Sequence, residues 1–182
     1  MVTDYFRRVA DVLPRIPAEP VQRIVDIMTD AQVNQRTVFM IGNGGSSANA
    51  SHIVNDLVKS ALHPSRPRFR VMCLTDNTPT VTAYANDESY DIALAKQIEA
   101  FGEPGDVLFA LSGSGNSPNV INAMETAQKM GLTRIGLTGR DGGKLAPLCD
   151  VSVIVPSDSM QIIEDAHLVI LHAMFLQLVA EK

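Results

Sequence analysis

The sequence predicts an α/β protein built on a parallel β-sheet. Short, continuous apolar runs such as VFMI, VLFAL and VSVIV alternate along the chain with longer segments of helical period, which is typical of βαβ units. Because these runs are continuous rather than alternating, we expect strands buried on both faces, between helices on the two sides of the sheet. Connections are short and no repeat or low-complexity linker divides the chain, so we expect one domain.

The elements follow one another in a regular order. Residues 1–35 are predicted to be helical, with a break at 14–20 where prolines interrupt the pattern and a second amphipathic helix over 21–31. Strands are predicted at 37–41, 70–74, 106–111, 133–137 and 150–155. Further helices are predicted over 46–61, 78–85, 92–101, 118–130 and, as a long apolar closing helix, 160–180.

The composition argues against several classes of function. A net charge of -5 at pH 7 lacks the surplus of Lys and Arg on which duplex nucleic-acid binding depends, and 5% aromatic residues with no Trp leave few platforms for stacking bases. The start, MVTDYFRRVADVL, is charged where a secretory signal is apolar, and no uninterrupted apolar stretch is long enough for a membrane span. We therefore expect a cytoplasmic protein that binds neither nucleic acid nor membranes.

The two cysteines are expected to be structural. Cys73 and Cys149 each lie among apolar residues, and free cysteine is one of the most buried residue types. Two cysteines cannot supply a disulfide framework or a thiolate zinc site.

Two glycine- and serine-rich segments each follow a predicted strand and begin a predicted helix. They are IGNGGSS at 41–47 and LSGSGNSP at 111–118, where Ser117 suits a helix N-cap and Pro118 the first helical position. Neither has the spacing of a P-loop or a dinucleotide-binding turn. One such segment is usually only a tight turn, but two at the carboxyl edge of one sheet indicate a phosphate site built from backbone N–H groups and hydroxyls. A third segment, TGRDGGK at 138–144, is interpreted as a structural turn.

Two helices each carry a histidine and a carboxylate on one face. His52 and Asp56 lie four positions apart, and Glu164 and His172 lie eight apart, so each pair shares a helix face. Two histidines and two carboxylates are a suitable donor set for zinc or another divalent ion. The spacing alone leaves this open, because an isolated helical histidine is more often a packed or surface residue.

Five segments resemble the sugar isomerase (SIS) domain and, within it, the phosphoheptose isomerase family. They are GNGGSSANASH, ANDESYD, PGDVLFALSGSGNSPNV, LTGRDGGKLA and IEDAHLVILH, and they cover nearly the whole chain in order. The serine-rich loop points only to the wider SIS class, whereas the histidine motifs point to the heptose branch. The resemblance implies a flavodoxin-like, three-layer α/β/α sandwich. It also implies a single SIS domain over 1–182 with 1–35 as a helical extension, and a homotetramer with active sites between subunits.

The resemblance also implies the roles of individual residues. It implies one zinc, or another divalent ion, per subunit, held by His52, Asp56, Glu164 and His172. Asn43, Gly44, Gly45, Ser46, Asp56, Asn86, Asp87 and Glu164 would line the substrate, and Ser112, Gly113, Ser114 and Ser117 would hold its phosphate. The implied reaction converts sedoheptulose 7-phosphate to D-glycero-D-manno-heptose 7-phosphate through an enediol. Asp56 would be the base, His172 the acid, and the metal would polarise the substrate oxygens.

Four positions depart from the family pattern. Asp56 replaces a glutamate, Glu164 a glutamine, Gly113 the middle hydroxyl residue of the phosphate loop, and Ser60 an arginine. Asp56 reaches about 1.5 Å less far than glutamate, and Glu164 adds a negative charge that would repel an anionic ligand in the absence of metal.

These departures leave two alternatives to sedoheptulose 7-phosphate isomerisation. One is the same chemistry on a different phosphosugar. The other is a non-catalytic SIS protein, either a sugar-phosphate sensor or a relative of the tetrameric factor that binds the DnaA replication initiator. His172, which that relative lacks, favours an enzyme.

Overall fold

A parallel sheet of five strands forms the centre of the computed structural model, which describes residues 1–180. The strands are β1 Thr37–Ile41, β2 Arg70–Cys73, β3 Val107–Ser112, β4 Thr133–Gly139 and β5 Val151–Val155. Their order in the sheet is β2-β1-β3-β4-β5, and every neighbouring pair is parallel. The predicted α/β class and the predicted strands are therefore confirmed.

The helices also match the prediction, with small shifts at their ends. They are α1 Val2–Val12, α2 Ala18–Val33, α3 Gly44–Lys59, α4 Thr78–Asp87, α5 Ala93–Phe101, α6 Pro118–Met130 and α7 Met160–Ala180. Helix α2 begins before Pro20 rather than after it, because Pro20 falls in the first turn, where the missing N–H is not needed for a helical hydrogen bond.

The helices form two layers that cover the two faces of the sheet. Alternate residues of β1 point to opposite sides, so Val38 and Met40 pack into a core shared with α2, α3 and α7. Phe39 and Ile41 pack into a second core shared with α5 and α6. The molecule is thus the expected three-layer α/β/α sandwich.

The expectation that every strand is buried on both faces is wrong for β2. This strand pairs only with β1 at the edge of the sheet, where Arg70 is exposed and Met72 is 43% exposed. An apolar run such as VMCL predicts a strand but contains no signal for its place in the sheet order. β1 and β3, in contrast, are buried along their whole length.

Helix α7 is the long apolar helix that the sequence predicts. Among the described residues, α7 is the one helix that is long and apolar enough to cross a membrane, because an 18-residue window within it has a mean hydropathy of 1.6. However, 44% of that window is buried inside the protein. A core helix of a soluble protein passes the same test. Here α7 packs against α1, α2 and α3, and Tyr5 donates a hydrogen bond to Asp165, which fastens α1 to it.

The cysteines are free in the structure. Cys73 is buried, as expected, while Cys149 is partly exposed and its thiol donates to the carbonyl of Leu145 at 3.2 Å. Burial raises the pKa of the Cys149 thiol to about 12, so it stays protonated at neutral pH.

Candidate active site

The two glycine- and serine-rich loops meet where the strand order reverses. Strands β1 and β3 are neighbours in the sheet although β2 lies between them in sequence, so the connections that leave their carboxyl ends diverge. Open α/β sheets bind their ligands at this kind of switch point. The predicted convergence of the loops at one sheet edge is therefore what the topology produces.

The first loop leaves the start of α3 without a side-chain cap. Asn43 is the N-cap residue, but its side chain makes no capping bond, and instead it exchanges hydrogen bonds with Asn119 at 2.8 and 2.9 Å. Gly44 has a φ of +53°, a left-handed conformation that glycine adopts without strain. The N–H groups of the first helical turn remain available to an anion.

The second loop presents serine hydroxyls and is supported from behind by the third loop. Ser112 ends β3, and its hydroxyl lies 3.4 Å from that of Ser117, the N-cap of α6. Gly115 packs so closely on Gly142 that an added Cβ would lie 2.2 Å from its carbonyl oxygen. The N–H of Leu145 donates to the carbonyl of Gly115 at 2.9 Å. These contacts agree with the structural role predicted for 138–144.

Together the two loops and α7 enclose a cavity of about 250 Å³. Most of the residues predicted to bind the substrate or its phosphate line it: Asn43, Gly44, Gly45, Ser46, Ser112, Gly113, Ser114, Ser117 and Glu164. We call this cavity the phosphate pocket.

Two side chains of α7, one helical turn apart, form the remaining wall of the phosphate pocket. Met160 packs on Gly113, where an added Cβ would lie 2.4 Å from its sulfur, and Glu164 packs on Gly45, where an added Cβ would lie 2.4 Å from Oε2. Asn49 donates to the backbone carbonyl of Glu164 at 2.9 Å and ties α3 to α7. The pocket thus combines hydroxyl and N–H donors with one carboxylate.

A second polar cluster lies further along the same two helices. The Nε2 atoms of His52 and His172 are 3.0 Å apart, and Oδ2 of Asp56 lies 3.4 Å from the first and 3.7 Å from the second. One ligand atom from each residue lies within 4.8 Å of the others; His52 is exposed, while Asp56 and His172 are partly buried. Two imidazoles and a carboxylate at this spacing suit a divalent ion with three protein ligands.

Glu164 and the pair Asn86–Asp87 lie apart from this three-residue cluster. The Glu164 carboxylate lies over Gly45 in the phosphate pocket, so its predicted place among the metal ligands stays a prediction. Asn86 and Asp87 are the last two residues of helix α4, and Asn86 donates to Asp87 at 2.7 Å. They do not line the phosphate pocket of this chain, and their contact with substrate also stays a prediction.

Three residues of the site were not found from the sequence. Met160, Asn119 and Tyr90 contact the loops or line the pocket. Tyr90 lies in ANDESYD and Asn119 directly follows Pro118 in the serine-rich loop, so both lie inside segments that carry the resemblance. Spacing gave no signal for them, because their contacts cross from one loop to another.

His167 is a buried histidine beside the site. It is fully buried on α7, and its Nε2 donates to the carbonyl of Thr138 on β4 at 3.0 Å. Its Nδ1 has no hydrogen-bond partner among residues 1–180. Burial lowers the pKa of His167 to about 4, against the opposing effect of the Thr138 bond, so the ring is neutral at physiological pH and fastens α7 to the sheet.

Comparison with known proteins agrees with this architecture. The model of the SIS domain family matches residues 4–139, which include strands β1 to β4 and both glycine- and serine-rich loops. The phosphoheptose isomerase of Paramagnetospirillum magneticum is 42% identical over 86% of this chain and 81% of its own length. The chain therefore belongs to the phosphoheptose isomerase family.

Solved structures show the same relationship. The phosphoheptose isomerase of Neisseria gonorrhoeae is 33% identical, with a TM-score of 0.89 over 98% of this chain and 97% of its own. That of Francisella tularensis is 28% identical, with a TM-score of 0.91 over 100% of this chain and 97% of its own. The match extends over the N-terminal helices as well as the sheet.

Proposed function

We propose that this protein interconverts sedoheptulose 7-phosphate and D-glycero-D-manno-heptose 7-phosphate. The observation that carries the proposal is that α3 and α7 each contribute to both polar regions. Helix α3 carries Gly45 at the phosphate pocket and His52 at the histidine cluster, while α7 carries Glu164 and His172 in the same order. A ligand that lies along these two packed helices would place its phosphate at one region and its other end at the second.

The spacing of the two regions suits the length of this substrate. His52 lies seven positions after Gly45, which corresponds to about 10 Å along a helix at about 1.5 Å per residue. The eight bonds from C1 of a heptose 7-phosphate to its phosphorus also span about 10 Å when extended. The carbonyl end of the sugar would then lie beside His52, Asp56 and His172.

The residues of the cluster can perform the proton transfers of an isomerase. The Asp56 carboxylate would accept the proton from C1 of the ketose, which leaves an enediol, and His172 would return a proton to C2 to give the aldose. The proton of the C1 hydroxyl is lost as the new carbonyl forms, while the former carbonyl oxygen gains one. The reaction therefore changes neither the composition nor the oxidation level of the sugar.

We also propose one zinc, or another divalent ion, per subunit. His52, Asp56 and His172 would hold it, and Glu164 would add a fourth ligand if its side chain turned from Gly45 to the cluster. When bound, the ion supplies positive charge that polarises the carbonyl and hydroxyl oxygens of the substrate. The partly exposed ring nitrogens and the carboxylate fit this role because they are the donors that zinc prefers.

Assembly, domain organisation and location belong to the same proposal. We infer a homotetramer, because apolar side chains on α1 and α7 remain exposed: Phe6 at 65%, Val169 at 44% and Leu176 at 62%. We infer that 1–182 form one SIS domain with 1–35 as its helical extension, since α2 packs on both α7 and β5. A cytoplasmic enzyme of carbohydrate metabolism fits these features.

The test is turnover of purified protein with added zinc, measured on sedoheptulose 7-phosphate and on a panel of other ketose and aldose phosphates. We expect a clear preference for the heptose. Absence of turnover in folded, metal-loaded protein would contradict the proposal. A preference for another phosphosugar would support a second candidate function, isomerisation of that sugar. This candidate is favoured by Gly113, which replaces a hydroxyl residue of the family pattern and has Met160 packed on it.

A further inference from the structure

The side-chain amide of Asn43 is held by two residues from other parts of the chain. The Tyr90 hydroxyl donates to Oδ1 of Asn43 at 2.7 Å, and Nδ2 of Asn119 donates to the same oxygen at 2.8 Å. In return, Nδ2 of Asn43 donates to Oδ1 of Asn119 at 2.9 Å. The oxygen of Asn43 therefore has two donors, and one of its two Nδ2 hydrogens is used.

These bonds join three segments at the carboxyl edge of the sheet. Asn43 is the N-cap of α3, Asn119 is the second residue of α6 and is 1% exposed, and Tyr90 begins the 3₁₀-helical turn Tyr90–Ile92. The same turn is tied to α6 by Asn122, whose Nδ2 donates to the carbonyl of Asp91 at 2.9 Å. The turn that follows α4 is thus held by hydrogen bonds to the N-cap residue of α3 and to helix α6.

Tyr90 helps to hold the Asn43 amide in the orientation that the structure shows. The amides of Asn43 and Asn119 bond each other reciprocally, and the Tyr90 hydroxyl adds a third hydrogen bond, which it donates to Oδ1 of Asn43. In this orientation Oδ1 faces the tyrosine. The second Nδ2 hydrogen is then left for a ligand, and Asn43 lines the phosphate pocket.

We propose that Tyr90 is a positioning residue that holds Asn43 as a hydrogen-bond donor to the phosphosugar. The inference rests on the proposed function, since it concerns the affinity of the same pocket. Tyr90 itself does not touch the ligand but acts through Asn43. Tyr90 lies in an exposed turn and is itself 44% exposed. Removal of its hydroxyl should therefore leave the buried cores unchanged.

The experiment compares Tyr90→Phe with Tyr84→Phe, which removes a hydroxyl from α4 outside this network. Binding of inorganic phosphate is measured by calorimetry, and KM and kcat are measured with sedoheptulose 7-phosphate. We expect Tyr90→Phe to weaken phosphate binding and raise KM about 3- to 10-fold, as for the loss of one oriented hydrogen bond, with kcat changed less than about twofold. Tyr84→Phe should match the wild type in all three.

A double-mutant cycle separates positioning from general stability. In the Asn43→Ala background, Tyr90→Phe should have no further effect on phosphate affinity, because the amide it orients is gone. The side-chain NH₂ signals of Asn43 in a ¹⁵N NMR spectrum should also shift in Tyr90→Phe, and this readout applies even if the double variant does not fold.

An unchanged phosphate affinity in Tyr90→Phe, or an equal loss in the Asn43→Ala background, would overturn the inference. Because phosphate binding requires no turnover, these outcomes are distinct from a failure of the proposed reaction, which is judged on the wild-type protein.

Discussion

Nε2 of His52 lies 3.0 Å from Nε2 of His172, although the two residues are 120 positions apart. Two imidazole nitrogens this close cannot both carry a hydrogen, so at least one offers a lone pair to its surroundings. Asp56 adds a carboxylate oxygen within 3.4 Å of one ring. The arrangement is therefore suited either to sharing a proton or to binding a cation between the three groups.

Loss of one histidine should remove the metal site. We expect His172→Ala to weaken zinc binding on the order of 100-fold or more, since one of three ligands is lost and even supporting residues of zinc sites contribute 10- to 100-fold. Zinc titration calorimetry of the purified protein measures this. His63→Ala, in the loop after α3, serves as the control and should keep the wild-type affinity. Equal affinities in the two variants would place the metal elsewhere.

Asp56→Asn should separate chemistry from binding. The amide is the same size as the carboxylate but cannot accept the substrate proton, so we expect kcat for sedoheptulose 7-phosphate to fall about 10²- to 10⁴-fold. Phosphate affinity should change little, because Gly45 at the pocket lies eleven positions before Asp56 on α3, or about three helical turns away. Asp26→Asn on α2 is the charge-matched control. A variant with near-normal kcat would show that another group is the base.

The fold and the individual loops could be predicted from the sequence, whereas contacts between loops could not. Continuous apolar runs and glycine-rich turns are local signals, and they correctly predicted β1, β3 and the meeting of the two glycine- and serine-rich loops at one cavity. The position of β2 at the edge of the sheet depends on the order of the strands. The four residues of the strand contain no information about that order. The bonds of Tyr90 to Asn43 and of Asn43 to Asn119 join residues 47 and 76 positions apart, so spacing within one segment could not reveal them. The same holds for Glu164, whose helix face was predicted but whose contact with Gly45 depends on how α7 packs on α3.

Glu164→Gln should increase the affinity of the metal-free protein for inorganic phosphate. The Glu164 carboxylate lies in the same pocket as the serine hydroxyls, and its repulsion of a bound anion is worth roughly 1 kcal/mol, or about fivefold in affinity, at a partly solvated site. Calorimetry at low and high salt measures the change, which should shrink as salt increases. Asp158→Asn removes one charge beside a neighbouring cavity and should have a smaller effect. An unchanged or weaker affinity in Glu164→Gln would contradict this expectation.

His167 should make the protein less stable in mild acid. Its pKa is lowered from 6.5 to about 4 in the folded protein because of burial, so between these values the unfolded chain binds more protons than the folded one. The stabilising effect is complete above about pH 6.5 and is lost as the pH falls to about 4, by on the order of 3 kcal/mol. Denaturant unfolding at a series of pH values should show this slope. It should be much reduced in His167→Gln and retained in His63→Ala, and an equal slope in all three proteins would assign the acid sensitivity to other groups.

Gly113 and Met160 should behave as one packing unit. A Cβ at Gly113 would lie 2.4 Å from the sulfur of Met160 and 3.3 Å from its terminal methyl, so Gly113→Ala must displace that side chain at a cost of about 1–3 kcal/mol in the free energy of unfolding. Met160→Ala removes the obstructing atoms, so the double variant should be more stable than the sum of the single effects predicts. The matched control is Gly136→Ala, whose Cβ would instead meet Cys149 at 2.5 Å, and its effect should simply add to that of Met160→Ala. Additive effects for the Gly113 pair as well would mean that Met160 does not fill the space beside Gly113.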